Sequence, residues 1–344
     1  MSLRDPWTQA LATCPGRRPA HSWDWQEAVA EVYGYQARPT IMAGDGAAFP
    51  VPAFRLRHGL GRPRLTSMPF MFPAPPLATG ESGQAAWAGH LVAQARAAGA
   101  WAELKTWHPL PAGCCADLGL TGGIVATASV LDLAADVGAQ LRAYPANLRR
   151  NLLRLRNRSD RDSGVELRED SSPASLAAFH RCLAWMYRDK DGIPCQPWAL
   201  FRNLGRRLTA DDRLRLFSAW SGRDLVAGVV ALREGPNAEY AWGATRPGAE
   251  GLGLTTVLLD RAITWAIGHG CRSFDFGCSG LADEGLLTFK RRWGCRQTPV
   301  WWYWCDRPGS PAGLRPDPRL QALYRRIPLW ISRPLLGPVV KRYG

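Results

Sequence analysis

The chain has 344 residues, 46% hydrophobic and 21% charged, a globular composition that excludes global disorder and leaves room for two domains. Its formal charge is +14, and the excess is arginine: 39 arginines stand beside only four lysines, Lys105, Lys190, Lys290 and Lys341. That charge favours polyanionic partners such as nucleic acid, nucleotide phosphates or an acidic membrane face, although a GC-rich coding bias would also enrich arginine.

In chain order, residues 21–128 predict a mixed α/β unit. Ser22 caps a helix over 23–33, and short strands follow at 38–42, 47–56 and 64–67 between Gly/Pro turns. An Ala-rich helix over 84–98 closes at Gly99, and a strand covers 100–106. Residues 132–158 predict helix, broken into two segments at Pro145. Leu148, Leu152 and Leu155 form an apolar stripe there, while Arg150, Arg154, Arg158 and Arg161 share another face, either a phosphate-gripping ridge or a solvated surface.

From residue 164 the pattern of the first unit recurs. A strand at 165–168 leads into a helix that opens at Ser171-Ser172-Pro173 and runs to about 188. Then come a helix at 198–208, strands at 214–221, 224–234 and 238–245, a helix at 254–269, and strands at 272–276 and 298–305. The recurrence divides the chain into an N-terminal domain (1–130), a basic helical connector (131–163), a C-terminal domain (164–306) and a basic amphipathic tail (307–344). The tail mixes Leu, Ile and Trp330 with arginines between prolines, so it suits either an anionic membrane surface or its own domain. Nine cysteines without a C-x-x-C pair argue against zinc fingers and disulfide frameworks. With no apolar signal core and no bilayer-length apolar run, the expectation is a cytoplasmic protein, at most peripheral to the inner face of the cell membrane.

The densest chemistry lies in Phe274-Asp275-Phe276-Gly277-Cys278-Ser279, followed after a polar loop by Phe289-Lys290-Arg291-Arg292-Trp293-Gly294 and an aromatic strand. Ser22-Trp23-Asp24-Trp25, Met68-Pro69-Phe70, the stretch 147–156, Tyr240-Ala241-Trp242-Gly243 and the stretch 260–270 accompany it. Together they resemble the Fem-type (FemAB-like) peptidyltransferases of the acetyltransferase-fold (GNAT) superfamily, over about residues 22–305. The kinase D-F-G alternative fails, because no H-R-D or Gly-rich loop accompanies the motif.

The resemblance implies an α/β fold of two tandem GNAT-like (acyl-CoA N-acyltransferase fold) domains, with mixed sheets flanked by helices. It implies an aminoacyltransferase that moves an aminoacyl group from aminoacyl-tRNA to an amine of a peptide or cell-envelope precursor. The alternative is an acyl-CoA-dependent N-acyltransferase in polysaccharide or lipid assembly. In either case no resident cofactor or metal is expected, since the donor is a substrate, and a monomer is expected. A coiled-coil arm that some tRNA-using relatives carry has no counterpart in the second domain, which leaves tRNA to the arginine surface.

Phe289 and Lys290 match the family's F-K pair. The resemblance implies that Lys290 stabilises charge near the donor ribose and the oxyanion formed when an amine attacks an ester. Its identity is informative where arginine supplies nearly all other cations, because a compact ammonium approaches an oxyanion more closely than a guanidinium. Asp275 either orients Lys290, accepts a proton from the amine, or caps its loop. Tyr240 and Trp242 alternate on a strand and are expected on one face, as pocket wall or core. Arg188 falls loosely where Fem enzymes place an acceptor-binding arginine, and Ser279 and Trp293 complete the expected substrate site. Gly251 and Gly253 open a helix where acetyltransferases cradle a coenzyme A pyrophosphate, but Arg246 stands five residues before Gly251 and misses the usual spacing, so a plain helix-start turn is the other reading. The six histidines show no metal-ligand spacing, and no G-x-S-x-G elbow occurs.

Overall fold

Capping and burial explain most of the helices in the computed structural model, which describes residues 3–44, 47–57, 61–70, 74–159, 164–307 and 318–327. In the first half, α1 (Arg4–Ala12) precedes α2 (Trp23–Tyr33), whose Ser22 cap accepts the Trp25 N–H and whose C-terminus closes on left-handed Gly34. Strands β1 (Gln36–Ala37), β2 (Thr40–Ala43), β3 (Ala48–Val51), β4 (Phe54–Leu56) and β5 (Arg64–Thr66) follow. Then come α3 (Gly80–Ala97), β6 (Trp101–Thr106), α4 (Ala112–Leu118) and β7 (Thr121–Asp132). The connector forms α5 (Val137–Ala143) and α6 (Ala146–Ser159), separated at Pro145 as the sequence predicts.

The second half contains β8 (Glu166–Glu169), α7 (Pro173–Met186), a π-helical turn (Tyr187–Asp191), α8 (Trp198–Leu208), β9 (Leu214–Ser221), β10 (Asp224–Glu234) and β11 (Asn237–Thr245). It continues with α9 (Leu254–Gly268), β12 (Ser273–Gly280), α10 (Glu284–Arg292), β13 (Arg296–Cys305) and α11 (Pro318–Arg326). The bounds of α8, β9 and β10 coincide with the expected ones. Helices α1, α4 and α10 and strand β7 are not predicted from the sequence.

The two halves share one sheet rather than two. Its order is β1-β4-β5-β6-β13-β7-β12-β11-β10-β9-β8, and β2 and β3 form a separate hairpin. The last strand, β13, enters between β6 and β7, pairing Tyr303 with Leu104 on one side and with Gly122 on the other. Strand β7 in turn lies against β12. Each half therefore closes its sheet with a strand contiguous in sequence with the other half.

Parallel strands β11 and β12 pair only from Asn237–Glu239 to Ser273–Asp275, so beyond that point they diverge and open a cleft in the sheet. On one face, α2 of the first half packs against α8, and Trp25 stacks on Trp242 at 6.2 Å between centroids. Burying one such indole removes roughly 150–250 Å² from water, worth about 4–6 kcal/mol before entropy costs. On the other face, α6 and α9 cover β9–β12 through Leu148, Leu152, Leu258 and Phe274.

Leu148, Leu152 and Leu155 are buried as the stripe predicts. Arg150 and Arg154 are exposed and bond Asn147 and Asn151 of their own helix. The side chain of Arg158, Arg161 and the tail beyond 327 lie outside the described residues. The described part of the tail, α11, docks on its own domain, where Arg325 donates to the Lys190 carbonyl at 3.2 Å. All nine cysteines are free, and among the described residues no helix is long and apolar enough to cross a membrane.

Candidate functional site

The D-F-G-x-S motif builds a bulge at the mouth of the cleft. The β12–β7 register slips between Asp275 and Cys278, and Gly277 takes φ +73°, a conformation strained for any residue with a Cβ. Asp275 locks that shape: Oδ1 accepts the Gly277 N–H at 2.7 Å, and Oδ2 accepts Nη1 of Arg18 at 2.9 Å. Arg18 is itself buried and lies over the Trp107 ring, 4.4 Å from its centroid. From α10, Lys290 donates Nζ to the Gly277 carbonyl at 2.8 Å. Its side chain is enclosed, with 2% of the residue exposed. Burial lowers the Lys290 ammonium from its ordinary range, while the neighbouring Cys278 and Asp275 oppose that shift. The ammonium thus stands one peptide group behind the cleft wall.

Across the parallel register from Asp275 is Glu239 of β11. Arg18, Ala20, Glu239, Tyr240, Asp275 and Gly277 line the cleft. Burial is the main reason that the Glu239 carboxyl is pushed up to about 8; repulsion from Asp275 adds to it and Arg18 opposes it. A carboxyl poised there exchanges a proton near neutral pH, beside a second carboxyl fixed by Arg18. That pairing suits acid–base work on an amine.

The first half supplies a second buried polar group. Glu103 of β6 accepts from Arg64 at 2.9 Å and from Thr66 at 3.0 Å, and its carboxylate lies 3.2 Å from Nζ of Lys105. Lys105 also donates to the Phe70 carbonyl at 2.8 Å, on a residue with φ 68°. Burial lowers Lys105 as it does Lys290, and both lysines act on Cys278, whose thiol burial pushes up strongly. Arg18, Glu239 and Lys105 are absent from the sequence-derived site. Lys105 was detectable by the scarcity of lysine that singled out Lys290. Glu239 was detectable as an acidic residue inside an apolar strand. Arg18 gave no sequence signal.

Lys290, Asp275 and Tyr240 gather around the bulge. Tyr240 and Trp242 do not share a face as expected: the β10–β11 register slips at Val230/Ala231, leaving Ala241 without a partner between them. Trp242 therefore packs with Trp25 and Phe201, while Tyr240 faces Phe276 on the opposite side of the sheet. Gly243 returns to the Tyr240 side, where a Cβ would lie 1.7 Å from the Tyr240 hydroxyl.

Trp293 is a core residue, edge-on to Tyr144 and packed on Phe276. Phe289 is half-buried against Trp293. Ser279 is buried on β12, its hydroxyl unpartnered among the described residues. Arg188 lies in the π-helical turn, bonded to Asp189 with Tyr324 nearby, and not with Lys290. Gly251 has open space around it, but Gly253, at φ +71°, has Leu155 of α6 within 2.8 Å of where a Cβ would stand. An apolar side chain thus packs beside the N-cap residue of α9. Among the described residues no cluster of three metal-ligating side chains occurs.

Residues 146–291 match the model of an acetyltransferase (GNAT) domain. A search of curated proteins finds no match. Among solved structures, the chain is similar to FemX, with TM-score 0.69 at 12% identity, covering 88% of this chain and 96% of that one. It is similar to L-PGS from Bacillus licheniformis, with TM-score 0.52 at 13% identity over 91% and 98% of the two chains. A tandem GNAT protein from the clavulanic acid biosynthesis pathway matches with TM-score 0.50 at 15% identity over 89% and 95%. With the exchanged terminal strands and the split between β11 and β12, these likenesses place an acyltransferase domain of the GNAT superfamily at residues 146–291, within a chain that has the Fem-type tandem fold.

Proposed function

We propose that the chain is an aminoacyltransferase that moves an aminoacyl group from aminoacyl-tRNA to an amine of a peptide or cell-envelope precursor. The observation that carries this choice of donor is Leu155 seated on Gly253. A coenzyme A pyrophosphate would use the backbone N–H groups at the N-terminus of α9, and an apolar side chain packs against the residue that opens that helix. An aminoacyl ester needs only the cleft, and the +14 chain suits a polyanionic carrier.

In the proposed reaction the acceptor amine attacks the ester carbonyl beside Glu239. The C–N bond forms, and Glu239 takes the amine proton. The C–O bond then breaks, and the same proton passes to the departing ribose oxygen. Asp275, fixed by Arg18 and the Gly277 N–H, keeps the bulge in shape. Lys290 places its positive field behind the Gly277 carbonyl, close to the acyl oxygen where negative charge grows.

The match to an acetyltransferase model favours a second reading, an acyl-CoA-dependent N-acyltransferase using the same carboxyls. That reading requires Leu155 to leave Gly253. Binding separates the two: the lead predicts saturable retention of aminoacyl-tRNA on filters and no change in melting temperature with 1 mM coenzyme A. Stabilisation by coenzyme A with no retention of aminoacyl-tRNA would favour the second reading.

A further inference from the structure

Two cavities of nearly equal size flank the second half, and each contains three arginines. One, of about 470 Å³, holds Arg156, Arg215 and Arg261, and every guanidinium there meets Asp260 or Glu169. The other, of about 450 Å³, holds Arg181, Arg223 and Arg246 with Trp185, over a floor of Cys182 and Leu225. Among the described residues its one carboxylate is Asp224, 3.4 Å from Arg246 and largely exposed, a pairing worth little in water. Arg181 and Arg223 meet no carboxylate among the described residues.

The fold brings these cations together from three elements. Arg181 and Trp185 lie four residues apart on one face of α7, Arg223 sits in the β9–β10 turn, and Arg246 follows β11. Like charges converging without counter-charges repel, so their convergence is stabilised when an external anion enters. Guanidiniums match phosphate oxygens in a bidentate geometry, and an indole face suits a planar base. A cavity of this size accommodates a nucleotide. The site lies at the far end of β11 from Glu239, seven residues away and therefore roughly 20 Å along the strand.

We propose that this cavity is an anion site for the phosphate groups of a nucleotide-containing ligand, with Arg181, Arg223 and Arg246 on the phosphates and a base against Trp185. The assignment stands apart from the choice of acyl donor. The same chemistry belongs to a single-stranded RNA segment or to a free nucleotide, and the test distinguishes them.

The full-length protein would be titrated with a single-stranded pentaribonucleotide, with adenosine 3′,5′-bisphosphate and with inorganic pyrophosphate at fixed ionic strength. The comparison uses wild type, Arg181→Gln/Arg223→Gln, Trp185→Leu, and Arg202→Gln as a control for loss of charge elsewhere. We expect the double variant to weaken nucleotide binding at least tenfold, and Arg202→Gln to change it less than twofold. In a separate salt series, the double variant also flattens the slope of log affinity against log salt for the oligonucleotide by about 1.4. Tighter oligonucleotide binding identifies an RNA segment; equal or tighter binding of the bisphosphate identifies a free nucleotide. The arginine assignment is overturned if no probe saturates, or if the double variant and Arg202→Gln bind alike. Pyrophosphate binding as tight as either nucleotide, unmoved in Trp185→Leu, overturns the nucleotide assignment. Because Arg181 and Arg223 are exposed, unchanged melting curves are expected and confirm that the variants fold.

Discussion

Replacing Lys290 with methionine removes one positive charge and little volume. Gly277 lines the cleft and its carbonyl lies 2.8 Å from Nζ, so charge growing on an acyl oxygen across that peptide is roughly 6 Å from the ammonium. At an effective dielectric of about 20, that attraction amounts to about 2.8 kcal/mol, and its loss slows transfer roughly a hundredfold. Stability moves much less. The variant leaves the Gly277 carbonyl without its donor, costing about 1–3 kcal/mol, but it also removes a buried ammonium whose desolvation works against folding. Lys290→Arg keeps the charge but forces a wider group into a site with 2% exposure, costing about 1–3 kcal/mol and displacing the cation. Single-turnover transfer of a labelled aminoacyl group, measured beside a thermal melt, separates rate from folding. A folded Lys290→Met enzyme that keeps more than half the wild-type rate would refute this assignment of the ammonium, as would full activity in Lys290→Arg.

Glu239 carries a pH prediction. Its folded value, about 8, lies above the ordinary 4.5, so the native protein holds the extra proton across that window. This contribution to stability is complete below about pH 4.5 and is lost as pH rises through 8; chemical denaturation of Glu239→Gln across that range should lose this pH dependence, worth a few kcal/mol. The transfer rate should rise through about pH 8 in wild type, and a Glu239→Gln profile of the same shape and height would remove its role as base. Gly253→Ala combines a positive φ with a Cβ 2.8 Å from Leu155, and should destabilise by about 1–3 kcal/mol. Adding Leu155→Ala should recover the steric part, which a double-mutant cycle in urea would measure. Finally, residues 1–163 and 164–344 expressed separately should each be insoluble and recover only when co-expressed, since β13 and β7 each complete the sheet beside the other half. A soluble, cooperatively melting single half would contradict that dependence.

Much of the fold was legible because its signals are local. The Ser22 cap, the glycine stops and the apolar runs of β9 and β10 between turns act within a few residues. Strand β7 was hidden because Thr121-Gly122-Gly123 and the small residues 126–129 separate Ile124-Val125 from Val130-Leu131, so it lacks the bulky alternation that marks a half-buried strand. Helix α10 was hidden because only Leu287 and Lys290 are buried, leaving no apolar stripe to read. The exchange of β7 and β13 is a long-range pairing that no local pattern encodes.

The site divides in the same way. Asp275, Gly277 and Lys290 sit in a short motif, and their hydrogen bonds now give that motif a physical reason. Arg18 meets Asp275 across 257 positions, a separation that leaves no periodicity in the sequence. Alternation misplaced Tyr240 and Trp242 on one face because the unpaired Ala241 inverts the pattern, and a bulge is set by pairing with β10 rather than by residue type.

Donor identity and the bond that is made decide the assignment. Purified protein would be mixed with an amine acceptor pool and either aminoacyl-tRNA labelled in the amino acid or acyl-CoA labelled in the acyl group, and the product assayed for an alkali-stable amide. Label is expected to transfer from aminoacyl-tRNA, suppressed about a hundredfold by Lys290→Met. Label arriving in the amide from acyl-CoA alone would contradict it.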